Sequence, residues 1–214
     1  CWWHLCLFLM ERGQYDRILD LLDTKVRNPE SPLVKAMPDA TIDLQNVASL
    51  LKRLELRGVD VGDRWHTIAE TCAGRTTDHA NPFSSAHDAM TLAAVGRFDL
   101  VDELVANMKS QGAAHSNLGA VTETLGAPVV EGVVAHQRGD YARAVDLMWP
   151  VRRELHRIGG SHAQRDLFFQ VLVDSAMRAG RATQVAILLD DITGIGFEHV
   201  GERSLYREAA AMAA

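Results

Sequence analysis

Four side chains that can bind a metal or move a proton lie close together in the sequence, Asp78, His79, His87 and Asp88. Because Asn81-Pro82 interrupts the chain between the two pairs, we expect His87 and Asp88 to begin a helix. Asp78 and His79 would then lie just before its start. Imidazole and carboxylate groups suit zinc, iron or manganese, and a helix start stabilises the negative member of an acid–base pair. These residues are the first candidate ligand-binding group.

A structural role accounts for the same four residues without any ligand. Aspartates near a helix start accept hydrogen bonds from backbone N–H groups that have no partner within the helix. The spacing also matches no HExxH-type metal motif. The pattern therefore favours capping over ligand binding, and we expect neither a metal nor a cofactor.

A second candidate group lies in residues 159–166 (GGSHAQRD), which begin with a pair of glycines. Backbone N–H groups at a helix start, together with Arg165 beside Asp166, can hold a phosphate or a carboxylate. The lysine and the preceding strand of a phosphate-binding loop are missing. In the structural alternative, the glycines end one helix, Ser161 caps the next, and Arg165 bridges to a carboxylate on the preceding hairpin, for which we expect Glu131.

A third group is polar and falls at inward-facing positions of first helices in hairpins: His4, Asp88, Glu131, Gln170 and Asp174. Buried carboxylates are costly unless they are paired, so we expect partners among Arg53, Arg165 and the histidines. Bridges between helices are one interpretation. A polar ligand groove is the other, and it adds Gln170 to the candidate site. No arrangement of nucleophile, base and acid is recognisable, which favours a binding protein over an enzyme.

These residues are positioned by helices that recur at regular intervals. Glycines stand at the centre of five helix-like segments, at Gly13, Gly58, Gly96, Gly139 and Gly180, with gaps of 45, 38, 43 and 41 residues. Each gap has room for one helix–turn–helix unit and a loop. Such a period is typical of an α-solenoid, in which neighbouring units must stack to bury their apolar faces.

The helical pattern predicts one all-α domain over 1–214, a superhelix like that of tetratricopeptide repeats. Its hairpins cover approximately 1–27, 43–73, 86–109, 128–157 and 162–193, and a terminal helix covers 202–214. We expect a linker up to Asp43, a polar loop at 74–85 and a flexible loop at 110–127. No segment alternates with period two for long, so we expect no sheet.

Composition excludes several classes of protein. The net charge is −6 and the isoelectric point is near 5.8, so the chain lacks the basic stripe of a nucleic-acid-binding protein. The basic run at 152–157 (RRELHR) contains a carboxylate and is interpreted as a solvated helix face. No apolar run approaches the length of a membrane span, and no signal peptide is recognisable. Three unpaired cysteines, Cys1, Cys6 and Cys72, favour a cytoplasmic protein.

The first residues indicate a helix that continues upstream. The chain begins in an apolar helical pattern without an N-cap residue, so we expect it to be the C-terminal part of a longer protein. The face formed by Trp2, Leu5 and Leu9 would leave an exposed apolar patch. We therefore expect a missing N-terminal segment, or a second copy of the chain, to cover it.

Several motifs together resemble the tetratricopeptide repeat protein 38 family. They are residues 2–8 (WWHLCLF) with 11–13 (ERG), Asp78-His79 with Ala86-His87 and Met90, and residues 159–168 (GGSHAQRDLF). The resemblance spans nearly the whole chain, and 159–166 is its most specific part. It implies an α-superhelix in a bacterial or eukaryotic cytosolic protein about twice as long. It implies no particular reaction, since the family has no firmly assigned one.

Two functions follow from these patterns. The favoured one is a scaffold that binds a peptide or protein partner in its concave groove. The alternative is an enzyme or small-molecule-binding protein with a His/Asp/Arg cluster in that groove. The second requires that His79, His87, Asp88, Arg165 and Asp166 line one cavity, whereas the first leaves them in separate bridges.

Overall fold

The computed structural model describes residues 2–78, 81–112, 116–194 and 203–213. Within these ranges the chain is helical and contains no strand, which confirms the predicted all-α class. The α-helices are α1 (Trp2–Glu11), α2 (Tyr15–Leu21), α3 (Pro32–Ala36), α4 (Thr41–Glu55), α5 (His66–Ala73), α6 (Pro82–Ala94), α7 (Phe98–Gly112), α8 (Asn117–Val121), α9 (Ala127–Gln137), α10 (Tyr141–Met148), α11 (His162–Arg178), α12 (Ala182–Gly194) and α13 (Ser204–Ala213).

Short segments of other helical types extend some of these helices. Leu22–Val26 and Thr122–Gly126 are π-helical, so α2 is prolonged and α8 runs continuously into α9. Gly62–Trp65 and Arg152–Ile158 are 3-10 helices. The second of these follows α10, which already ends at Met148.

All five predicted glycine turns are present, and their geometry is the same. Gly13, Gly58, Gly96, Gly139 and Gly180 have φ between 66° and 77°, in the left-handed region that glycine adopts most easily. At each turn the glycine N–H donates to the carbonyl three residues earlier, and the next N–H donates to the carbonyl five residues before it. This is the Schellman motif, which ends a helix and reverses the chain.

Two predicted loops contain helices. Ser31 caps α3 within the expected linker, and its hydroxyl accepts a hydrogen bond from the Val34 amide. Ser116 caps α8 in the same way within the expected loop at 110–127. In both places a capping side chain starts a helix. The small and helix-breaking residues around it favour a loop instead.

The first helices of four successive hairpins pack into a closed ring. Helix α4 contacts both α6 and α11, and α9 also contacts both α6 and α11. Helix α1 packs outside α4, and α13 packs on α11 and α12. The surface that would line an open groove is therefore buried between helices, which the sequence did not predict.

One continuous helical segment, Asn117–Gln137, has the length and mean hydropathy of a membrane span, 21 residues at 1.3. The expectation that no apolar run approaches the length of a membrane span is therefore wrong, because this segment has both the length and the composition of one. Within the protein, 61% of that window is buried, because α9 packs on α6, α10 and α11. Such burial is typical of the core helix of a helical protein.

The N-terminal face differs in detail from its prediction. Leu9 is buried in the core and Leu5 is half-buried, whereas Trp2 is 47% exposed and Phe8 is 60% exposed. The exposed apolar residues of α1 are therefore Trp2 and Phe8. That a further segment or second copy covers this helix stays a prediction.

Candidate functional site

The first candidate group does not come together at a helix start. Helix α6 begins at Pro82, and Asn81 caps it by accepting a hydrogen bond of 2.9 Å from the Ser84 amide. His87 and Asp88 lie in the middle of α6, so neither caps it. Consecutive helical residues point about 100° apart, which sends these two side chains to different neighbours. His79 lies outside the described residues.

His87 is a core residue. Its side chain is 1% exposed and packs against the rings of Phe83 and Phe168. Its Nδ1 lies 2.8 Å from the Phe83 carbonyl oxygen. Burial lowers the pKa of His87 to about 4, although the carbonyl contact opposes this change. The imidazole is therefore neutral at pH 7 and donates from Nδ1.

Asp88 faces α5. One of its carboxylate oxygens lies 3.6 Å from Arg75 Nε, and the Cys72 thiol also hydrogen-bonds to the carboxyl. Burial raises the pKa of Asp88 to about 6, against the opposing effects of Arg75 and the thiol. Asp88 thus belongs to a bridge between α5 and α6. Among the described residues, no three His, Cys, Asp or Glu side chains are arranged to hold a metal ion.

Asp166 joins three helices of the fold. Arg203 donates two hydrogen bonds of 2.8 Å to its carboxylate from the start of α13. The Tyr206 hydroxyl donates a third at 3.0 Å, and Gln170 Nε2 donates a fourth at 2.6 Å. Burial favours the neutral carboxyl, but Arg203 and then Arg53 outweigh it and lower the pKa of Asp166 to about 2.

Gln170 completes the same network and is fully buried. Its amide oxygen accepts a hydrogen bond of 3.1 Å from Arg57 Nη1 while its nitrogen donates to Asp166. The amide therefore links the turn after α4 to α11. Gln170 has a structural role, as the interpretation of bridges between helices predicts.

Arg165 has no carboxylate partner among the described residues. Its Nη1 donates to the carbonyls of Gly159 and Gly160, within its own turn. The expected bridge to Glu131 is wrong, because Lys109 Nζ lies 2.7 Å from the Glu131 carboxylate. Helix α11 has no need of Arg165 at its start, since Ser161 and Gln164 form a complete capping box.

The glycine pair before α11 allows a close packing contact. A Cβ at Gly160 would lie 2.6 Å from the Phe83 ring, and both Gly159 and Gly160 have positive φ. The turn can therefore lie flat against the start of α6 only with glycine at this position. This contact fixes where α11 begins and thus where Arg165 emerges.

Arg165 and Asp166 line an open cleft of about 530 Å³ between the Arg152–Ile158 segment, the start of α11 and the end of α12. Its apolar surface comes from Leu155, Phe169 and Ile192. The remaining lining residues are polar or charged: Arg152, Arg153, His156, His162, Asp190 and Asp191. The volume lies within the range of small-ligand pockets, about 300–1,000 Å³.

Most charges of this cleft are already paired. Asp191 accepts hydrogen bonds from Arg152 at 2.8 Å and from Arg153 at 2.6 Å. Asp166 is bound by Arg203, which approaches from α13. Within the described residues, Arg165 is the lining guanidinium that no carboxylate neutralises.

The remaining inward polar residues separate into different bridges. Asp174 lies 2.7 Å from His136 Nε2 and accepts a 2.8 Å hydrogen bond from Arg178. His4 is exposed rather than inward. The predicted members of one cluster, His87, Asp88 and Arg165, therefore occupy three separate environments.

Sequence reasoning missed most of the residues that line the cleft. Arg152, Arg153 and His156 belong to the basic run that was interpreted as a solvated face. Its position just before the glycine pair was the available signal, because both segments flank one turn. Asp190 and Asp191 carried no such signal, since they approach only through the folding of α12 back along α11.

No family model matches the chain, and no solved structure matches it significantly. Over its described residues the chain is an all-α protein in which Schellman turns connect the paired helices.

Proposed function

We propose that this chain is a helical-repeat protein of the tetratricopeptide type, related to the tetratricopeptide repeat protein 38 family, that binds a peptide or protein partner. Five turns with one geometry, separated by 38 to 45 residues, support descent from a repeated hairpin. The ligand we propose is a chain end with a free carboxylate. Its site is the cleft beside Arg165 rather than a concave groove.

The unpaired guanidinium of Arg165 carries this proposal. Its Nη1 is engaged only by neutral carbonyls, and its Nε and Nη2 have no partner among the described residues. A carboxylate would accept from this free edge in the paired geometry that arginine favours. Because Arg152 and Arg153 already hold Asp191, they support the cleft wall rather than compete for the ligand.

The apolar surface of the cleft adds the second element of recognition. Phe169, Leu155 and Ile192 are buried residues that still line the cleft, so an apolar side chain beside the carboxylate would cover them. Removal of such a surface from water contributes about 25 cal/mol per Å² before the costs of association. The cleft is open at exposed His156 and His162, which leaves room for a chain to extend into solvent.

The closed ring of first helices disfavours the concave groove as the binding surface. Arg53, which an open groove would expose, instead donates a 2.7 Å hydrogen bond to the Ala163 carbonyl across the ring. A peptide in that position would have to displace contacts between α4 and α11. The external cleft requires no such change.

The test uses fluorescent hexapeptides that end in Leu or Phe, each prepared with a free carboxylate and with a carboxamide. We expect anisotropy titrations to show at least tenfold tighter binding of the acids, about 1.4 kcal/mol. Benzoate and hexanoate serve as small acids that separate a small-molecule site from a peptide site. Equal binding of acid and amide, or no binding of either, would overturn the proposal.

A further inference from the structure

The cleft beside Arg165 has an apolar floor and a charged rim. The floor consists of buried residues from the three segments that meet there, Leu155, Phe169 and Ile192. The rim carries charged side chains that remain accessible, among them Arg165 on α11 and Asp190 on α12. A ligand that covers the floor can therefore contact charges on two different helices.

Two arginines hold the end of α12 in place. Asp191 accepts a hydrogen bond of 2.8 Å from Arg152 Nε, and bonds of 3.0 and 2.6 Å from Nε and Nη2 of Arg153. Partial burial disfavours the charged form of Asp191, but these bonds outweigh it and lower the pKa of its carboxyl. The Asp191 carboxylate is thus occupied, and the adjacent Asp190 lies on a fixed stretch of helix.

Asp190 presents a carboxylate that no side chain of the described residues binds. Successive helical residues point about 100° apart, so Asp190 does not share the direction of Asp191. Arg153 is near enough for its charge to interact with that of Asp190, but its Nε and Nη2 both donate to Asp191. Because Asp190 is exposed and lines the cleft, a ligand can reach its oxygens.

The cleft therefore offers one unpaired cation, Arg165, and one unpaired anion, Asp190. A ligand carboxylate on Arg165 leaves Asp190 without a partner. A positive group on the same ligand would complement it, and such complementarity contributes to specificity. The net charge of −6 on the chain also attracts a basic ligand from a distance.

The geometry of an extended peptide indicates which of its residues would meet Asp190. Successive side chains of an extended chain point to opposite sides. When the last side chain lies on the apolar floor, the side chain before it points away from the floor, toward the rim. A lysine or arginine at that position can lay its stem along the cleft and keep its charged head at the rim.

We propose that Asp190 determines specificity in this cleft by selecting chain ends in which a basic residue precedes an apolar last residue. The inference rests on the proposed function, because the terminal carboxylate on Arg165 sets where the preceding side chain lies. The planar guanidinium of arginine donates two parallel hydrogen bonds to a carboxylate. We therefore expect arginine to be preferred over lysine.

The experiment uses fluorescent hexapeptide acids that end in Arg-Leu or in citrulline-Leu, since citrulline has the shape of arginine without its charge. Anisotropy titrations with the wild-type chain should show about fivefold tighter binding of the Arg-Leu acid, the upper end of what exposed ion pairs contribute. With Asp190→Asn the two acids should bind equally. Asp20→Asn is the matched control, because Asp20 is exposed on α2 and does not line the cleft; it should keep the preference for Arg-Leu.

The carboxamide forms of the same peptides separate this inference from the proposed function. The comparison of acid with amide reports on Arg165, whereas the comparison of arginine with citrulline reports on Asp190. Equal binding of acids and amides, with an arginine preference that only Asp190→Asn removes, would refute the role of Arg165 and support that of Asp190. Three results would each overturn the inference: equal affinity for Arg-Leu and citrulline-Leu, an arginine preference that Asp190→Asn retains, or no binding of any peptide.

Discussion

Asp166 shows how much of this fold depends on one charged side chain. It accepts hydrogen bonds from Arg203 just before α13, from Tyr206 of α13 and from Gln170 of its own helix. Arg53 of α4 lies nearby. Its side chain lines the external cleft and also a smaller pocket beside α1. A residue that the sequence places in a ligand site thus also links α11 to the segment that begins α13.

Asp166→Asn should therefore be among the most destabilising single changes in the chain. It leaves Arg203 and Arg53 without their shared carboxylate, and breaking a buried pair in this way costs about 3–5 kcal/mol. Urea unfolding followed by circular dichroism measures the loss. Asp190→Asn is the control, because Asp190 is exposed, and its effect should stay within about 0.5 kcal/mol. A loss below about 1 kcal/mol for Asp166→Asn would contradict the assigned role.

Asp88 should leave a signature in the pH dependence of stability. Its pKa is raised from 3.8 to about 6 in the folded chain, so the folded state binds more protons than the unfolded state between these values. This contribution to the free energy of unfolding therefore falls as pH rises through that window. His87 acts in the opposite direction, because its pKa is lowered from 6.5 to about 4.

Asp88→Asn removes one of these two opposing terms. The free energy of unfolding of the variant, minus that of the wild type, should increase by about 2–3 kcal/mol between pH 4 and pH 6. Urea titrations at pH 4, 5, 6 and 7 give this difference. A difference that is flat with pH would show that Asp88 does not titrate as assigned.

Among the elements, helix ends that neighbouring residues specify could be predicted from the sequence. Contacts between helices that are distant in the sequence could not. The glycine turns were predictable because a Schellman motif is specified within six consecutive residues. Asn81 and Ser116 also act locally, but the small and polar residues around them are typical of loops. The contact of α4 with α11 was not predictable, because Arg53 and Ala163 lie far apart in the sequence and neither carries a signal for the other.

Gly132 lies where the two helices of one hairpin, α9 and α10, pack closely together. A Cβ at this position would clash with the Met148 side chain of α10, so Gly132→Ala should destabilise the fold by about 1–3 kcal/mol. Adding Met148→Ala should remove the clash, and the two changes should therefore be non-additive. Thermal and urea unfolding of the single and double variants measure this coupling. Strictly additive effects would refute the contact.

Gly74→Ala provides the control for that experiment. Gly74 has an ordinary helical φ of −73°, and the nearest atom to an added Cβ lies at 3.6 Å. The alanine should therefore be neutral, or stabilise the fold by about 0.4–1 kcal/mol through the unfolded state. A large loss at Gly74 would mean that alanine substitution in itself, rather than the Met148 clash, causes the effect at Gly132.

In the molecule as a whole, the ring of first helices buries the surface that the sequence predicts to line a groove. Side chains that would face a peptide, such as Arg53 and His87, are each 1% exposed. The external cleft lies outside the ring, and one of its lining residues, Asp166, is held by Arg203 and Tyr206, which attach α13 to α11. Glu11 contributes to that attachment, since it accepts hydrogen bonds from the Ser204 amide and from Arg203.

Glu11→Gln should loosen α13 without unfolding the ring. The amide side chain keeps its size but loses the charge that pairs with Arg57 and Arg203. We expect faster amide hydrogen exchange over 204–213, while α6 and α9 exchange at the wild-type rate. Asp99→Asn, at an exposed position, is the control. Uniformly faster exchange over the whole chain would contradict a local role for Glu11.

The proposed role of the free guanidinium of Arg165 is to bind a carboxylate, and a double-mutant cycle measures this interaction. The affinities of a Leu-terminated peptide acid and its amide are measured with wild type and Arg165→Gln, and Arg17→Gln of the exposed α2 surface is the control. Removal of either partner should weaken binding, and removal of both should cost no more than one, with a coupling of about 1.5–3 kcal/mol. The Arg165→Gln variant should itself be destabilised by less than about 1 kcal/mol, since its arginine contacts only carbonyls. A coupling energy of zero would show that Arg165 does not bind the carboxylate.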